Sequence, residues 1–164
     1  MTNRYSVVQR LLLALLFSLT LQTNSLADEQ KNTVLGNWKT ETTDEGFAKV
    51  TIRKVGDSIE GKITWLSEPT YPENDKQGMD GQLKIDRENP DKVLSSRPII
   101  GLVLLRDFEY AGNGVWEKGT IYDPESGNTY KSTIKLSGPN KLKLRGYIGI
   151  SLIGRTSKWT RLTE

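Results

Sequence analysis

From Thr33 onward the chain carries no helical period. Short runs rich in Val, Ile, Thr, Trp and Tyr alternate with clusters of Gly, Pro, Asn and Asp, the pattern of half-buried antiparallel strands joined by tight turns. Eight strands are predicted: Val34 to Glu41, Phe47 to Lys54, Ser58 to Leu66, Ile99 to Phe108, Val115 to Tyr122, Asn128 to Leu136, Lys141 to Ile148, and Thr156 to Leu162. The intervening Val55-Gly56-Asp57, Ala111 to Gly114, Asp123 to Gly127 and Ser137 to Asn140 suit hairpin turns; in the third, Pro124 presets φ and Gly127 takes the positive φ that returns the chain. Ala48, Val50 and Ile52 oppose Lys49, Thr51 and Arg53, and Leu142, Leu144 and Gly146 oppose Lys143, Arg145 and Tyr147, so one face is apolar and the other wet. With no helix to cover the apolar face, the sheet is best satisfied by closing into an all-β, eight-stranded antiparallel up-and-down barrel that leaves no free edge. An open sandwich of the same strands would alternate in the same way.

The N-terminus carries a different signal. Arg4 and Arg10 flank a positive start, Leu11 to Leu21 form a short apolar core, and Ser25-Leu26-Ala27 supplies small residues at a cleavage site. A secretory signal peptide is expected over residues 1–27, cleaved near Ala27-Asp28. The apolar run is too short for a membrane span of about 20 residues, and without cysteine there is no lipid attachment site at the new terminus. The expected product is one domain over residues 28–164, periplasmic or secreted, with no transmembrane segment. The 23 Lys and Arg less the two in the leader leave 21 against 20 acidic residues. That balance supplies no basic excess for phosphate counterion release, so no nucleic-acid partner is expected.

Histidine and cysteine are both absent. No imidazole or thiolate is available for zinc, haem or iron–sulfur ligation, nor for Ser-His-Asp or Cys-His catalysis. No metal, cofactor or catalytic residue is assigned, and the chain reads as a non-enzyme. Asp123 with Glu125, and Asp86 with Glu88, are the nearest carboxylate pairs, but both lie in turns, where acids are common for other reasons.

Two features at opposite ends of the chain belong together. Gly36-Asn37-Trp38 on the first strand resembles the Gly-x-Trp of calycins, the lipocalin superfamily, and Arg161 in Trp159-Thr160-Arg161 resembles their late arginine. The resemblance implies a structural role for Gly36, Trp38, Trp159 and Arg161, with the guanidinium packed over the tryptophan at one barrel end. A wider resemblance rests on Asn89-Pro90-Asp91, Arg97-Pro98-Ile99-Ile100-Gly101-Leu102, the run Gly119 to Tyr130, Leu144-Arg145-Gly146 and Trp159-Thr160-Arg161. This ordered set is similar to the bacterial "domain of unknown function 2147" family, which implies a small exported β-barrel without an assigned activity. Many members carry cysteines in the segment corresponding to Tyr147 to Leu152; this chain has none there, so no cysteine-dependent property transfers.

Candidate ligand-binding residues are Trp65, Arg97, Asp123, Tyr130 and Arg145. The two arginines suit a carboxylate or phosphate head, with Asp123 and Tyr130 beside them at a barrel mouth. Trp65, Ile63, Ile52, Tyr130, Ile134, Leu142 and Leu144 are candidates to line the interior, either around a small hydrophobic or amphipathic molecule or filling the core themselves. A protein partner is the alternative, held by the Leu66 to Arg97 connection, which contains a possible single helical turn around Asn89 to Leu94 capped by Asn89.

Overall fold

Turn chemistry sets the register of the sheet. Gly56 adopts φ +59° and lets Val55 pair directly with Ser58, a two-residue hairpin. The computed structural model describes residues 33–150 and 152–163; the predicted signal peptide lies outside the described residues. The strands are β1 (Gly36–Lys39), β2 (Ala48–Val55), β3 (Ser58–Leu66), β4 (Val103–Gly112), β5 (Val115–Asp123), β6 (Asn128–Leu136), β7 (Lys141–Tyr147) and β8 (Gly154–Arg161). Each pairs antiparallel with the next, and β1 pairs with β8, giving a closed barrel. The domain predicted from the sequence alternation is therefore an eight-stranded up-and-down barrel, and among the described residues no helix is long and apolar enough to cross a membrane.

Three expectations change. The strand expected from Ile99 begins only at Val103, because the Ile99 amide donates to Lys84 O (3.1 Å), tying that stretch to the preceding connection. The single helical turn expected from Asn89 starts two residues later, at Asp91, where the Ser95 amide donates to Asp91 O (3.1 Å) and the Asp91 carboxylate accepts the Val93 amide (2.9 Å); Asn89 Oδ1 accepts the Asp91 amide (2.9 Å). Trp65, expected inside, is 41 % exposed. The cause is a β-bulge: Lys49 pairs with Trp65 and Val50 with Ile63, leaving Thr64 as the extra residue, its hydroxyl donating to Lys49 O (3.1 Å). One added residue reverses the alternation, so Trp65 turns outward against Lys49 (4.7 Å from ring centroid to Nζ) and the Phe47 ring (5.4 Å).

The interior is filled. Trp38, Phe108 and Trp116 are fully buried, packed with Ile52, Leu105, Ile134, Leu142, Leu144 and Trp159. Gly119 lies against the Phe108 ring so closely that a Cβ there would sit 2.3 Å from it. The absent side chain on β5 is what admits the phenyl group from β4.

The two barrel ends differ. At the closed end, where β2–β3, β4–β5 and β6–β7 join by short turns, Arg161 lies over the Trp38 ring (4.2 Å to centroid). Its Nε donates to Pro139 O (2.8 Å), Nη1 to Leu35 O (2.8 Å) and Nη2 to Thr33 O. Trp38 Nε1 in turn donates to Val34 O (2.8 Å). Gly36 sits at φ +115°, where an added Cβ would lie 3.1 Å from Arg161 Nη1, so Gly-x-Trp and the late arginine form one assembly. Replacing Arg161 with Lys keeps the charge but cannot reach three carbonyls. Urea denaturation is expected to show a loss of about 1.5–3 kcal/mol, whereas Arg53→Lys, in an exposed pair with Glu60, should change stability by no more than about 0.5 kcal/mol.

Candidate functional site

Three of the four connections at the other end, the rim, converge on one another. Phe47 and Ser67 exchange hydrogen bonds, Lys84 pairs with Glu45 (3.4 Å), and a Cβ on Gly127 would overlap Glu88 O at 2.0 Å. Crowding by these loops, then the Asp123 and Glu45 carboxylates, push the Glu125 carboxyl up against the opposing pull of Lys84 and Arg155.

The connection from β3 to β4 is a strap doubled back on itself. Residues 69–71 bond to 81–84 through the Tyr71, Gly81 and Lys84 amides, and 84–86 bond to 97–99 through the Asp86 and Ile99 amides. The Tyr71 hydroxyl accepts the Ile85 amide (3.2 Å) and donates to Ile85 O (3.0 Å). Arg87 stacks on the Tyr71 ring (4.1 Å) and its Nη1 reaches both Asp75 carboxylate oxygens at 2.9 Å.

At the centre of the strap lies Asp86, fully buried. Its Oδ2 accepts Arg97 Nε (2.8 Å) and Nη2 (2.7 Å) and Asn89 Nδ2 (2.7 Å), and its Oδ1 accepts the Tyr122 hydroxyl (2.5 Å). Asn89 Nδ2 also reaches the Tyr122 oxygen (3.0 Å). Leu105 pairs with Ile121 on the inward face. The next residues along, Leu104 and Tyr122, therefore point outward, yet Leu104 is 8 % exposed and Tyr122 is half-buried. The strap is thus pinned over the outer wall of β4 and β5 by a buried carboxylate. Burial, then the hydrogen bond to Asp86 and its charge, push the Tyr122 phenol up to about 12, outweighing Arg97 and the Asn89 bond. It stays a donor, and every oxygen of Asp86 is satisfied. The cluster holds the strap in place.

The residues singled out in the sequence are not brought together. Arg97 belongs to the Asp86 cluster. Asp123 stabilises its own turn, accepting the Glu125 amide (3.1 Å) and the Ser126 hydroxyl (2.6 Å), and Ser126 Oγ lies 3.4 Å from the Tyr130 hydroxyl. Tyr130 is half-buried, on the inward parity of β6 at the rim. Arg145 faces outward and donates to Thr156 Oγ1 (3.0 Å) and Leu152 O (3.2 Å). Trp65 stands outside the barrel. Sequence reasoning missed Asp86, Asn89 and Tyr122 as a unit, because three positions spread over 36 residues share no spacing that marks a contact. It also missed Arg155, which pairs with Gly146 on the inward parity of β8 at the rim.

A closed eight-stranded barrel with a tryptophan capped by a late arginine defines a lipocalin-like fold. The model of a family described as an uncharacterized protein conserved in bacteria (DUF2147) matches residues 36–161, and the chain belongs to that family. Among solved structures the barrel is similar to protein HP1028 of Helicobacter pylori, described as belonging to the lipocalin family: 19 % identity, 79 % of this chain and 83 % of that chain covered, TM-score 0.67. No curated protein matches the sequence.

Arg97→Gln strands a buried carboxylate without its cation, and unfolding free energy is expected to fall by about 3–5 kcal/mol in chemical denaturation. In an ultraviolet titration one tyrosine should ionise only near pH 12, and Tyr122→Phe should abolish that late phase. Because the folded value lies above the ordinary 10.0, the associated stability is intact below pH 10 and declines as pH rises towards 12.

Proposed function

We propose that the chain is an exported, non-enzymatic binding protein that captures a protein partner through its strap. The filled interior carries this reading: Trp38, Phe108 and Trp116 occupy the space in which a lipocalin-like barrel would enclose a ligand. The strap meanwhile exposes Leu83 (65 %), Val93 (82 %), Leu94 and Ile100 on a scaffold held by Asp86. Apolar groups on a fixed connection bind with little ordering cost, which suits a protein surface or an enzyme cleft. Export is supported by the basic, apolar and small-residue sequence of the leader, and the non-enzymatic reading by the lack of histidine and cysteine.

A second reading, a small amphipathic anion at the rim, is favoured by one observation. Arg155 stands at the mouth paired with Gly146, and among the described residues it makes no side-chain hydrogen bond or ion pair, feeling Glu125 at longer range.

Native mass spectrometry of the exported protein separates the two. The strap reading expects a bare mass, together with a partner recovered by the parent and lost on Leu83→Ser with Val93→Ser at unchanged melting temperature. A releasable small molecule, lost on Arg155→Gln, would transfer the function to the rim.

A further inference from the structure

The connection from β7 to β8 carries chemistry that neither the barrel nor the strap uses. Ile148, Ile150, Leu152 and Ile153 are 70, 60, 83 and 67 % exposed. Single exposed aliphatic residues are ordinary, but four within six positions form a patch. The tip is hydrogen-bonded within itself: the Ile148 amide donates to Ile153 O (3.2 Å) and the Ile153 amide to Ile150 O (3.1 Å). Arg145 Nη2 ties down Leu152 O. Internal pairing of these groups lowers the cost of moving the tip out of water.

The charge around the tip is one-sided. From Lys141 to Thr163 there are six Lys and Arg and no Asp or Glu. Arg145 and Arg155 stand at the base of the tip, and Tyr147 pairs there with Gly154 and with Lys131. The strap, by contrast, holds seven acidic against five basic residues over 67–102. Glu125, in the neighbouring β5–β6 turn, is a carboxylate whose field Arg155 feels.

We propose that Ile148, Ile150, Leu152 and Ile153 of the β7–β8 connection form a membrane-docking element that inserts into the interface of an anionic phospholipid bilayer. The four aliphatic side chains enter the acyl boundary, Tyr147 lies at headgroup level, and Arg145 and Arg155 stay at the phosphates. A second copy fits less well, since joining two tips opposes two basic hairpins.

The test uses the chain from Asp28, because the closed barrel lies wholly within residues 36–161. Co-sedimentation is measured with phosphatidylethanolamine–phosphatidylglycerol vesicles and with phosphatidylcholine vesicles. The parent is expected to pellet with the anionic vesicles. Ile150→Ser with Leu152→Ser should weaken this about tenfold or more at unchanged melting temperature, and Arg155→Gln should weaken it about fivefold on the anionic vesicles alone. Failure to pellet with anionic vesicles, or pelleting indifferent to the serines, would overturn the proposal. So would a dimer in light scattering that the serines dissociate without any vesicle binding, which would assign the tip to a second copy.

Discussion

The seam between the first and last strands is two residue pairs long, Trp38 with Arg161 and Lys39 with Thr160, and the closure of the barrel hangs on it. Two pairs of backbone groups are a slender join for strands that every other neighbour holds more extensively. The Arg161 guanidinium compensates by crossing the seam in three directions at once, bonding carbonyls ahead of β1 and in the β6–β7 turn while lying on the Trp38 ring. Its planar, permanently charged fork suits that task where a flexible ammonium does not. A small residue at position 36 is the matching half of the device.

Once closed, the barrel has a division of labour. The inside is spent on packing: three aromatic side chains fill the axis, and a missing side chain at Gly119 accommodates one of them. The rim is spent on display. Asp86 pins the strap at one point through two donors on Arg97, one on Asn89 and one on Tyr122. A buried carboxylate of this kind is costly unless fully partnered, and its worth lies as much in fixing one geometry as in net stability. The acidic strap and the basic, aliphatic hairpin then present different chemistry from the same end.

The strand pattern, the turns and the calycin-type end cap were legible in the sequence because each is local or carries a known pairing: alternation at Val50 and Ile52, Gly127 in its turn, Gly36 with Arg161. The Thr64 bulge was not, since nothing in Ile63-Thr64-Trp65-Leu66 announces an extra residue, and it alone sends Trp65 outside. The Asp86 cluster was illegible for another reason. Asp86 was read as one of a carboxylate pair with Glu88, whereas its chemistry depends on Tyr122, whose approach is fixed only when the strap folds across β4 and β5. Arg97 and Arg145 were recognised as notable cations, but each is engaged by groups that only the tertiary arrangement supplies.

The directions of the first and last strands have one more effect. β1 runs from the closed end to the rim and β8 runs back, so the chain enters at Gly36 and leaves at Arg161 through the same end. The barrel therefore has a handle and a face. A tether joined behind Arg161 grips the handle, and a support bearing it would present strap and hairpin outward together.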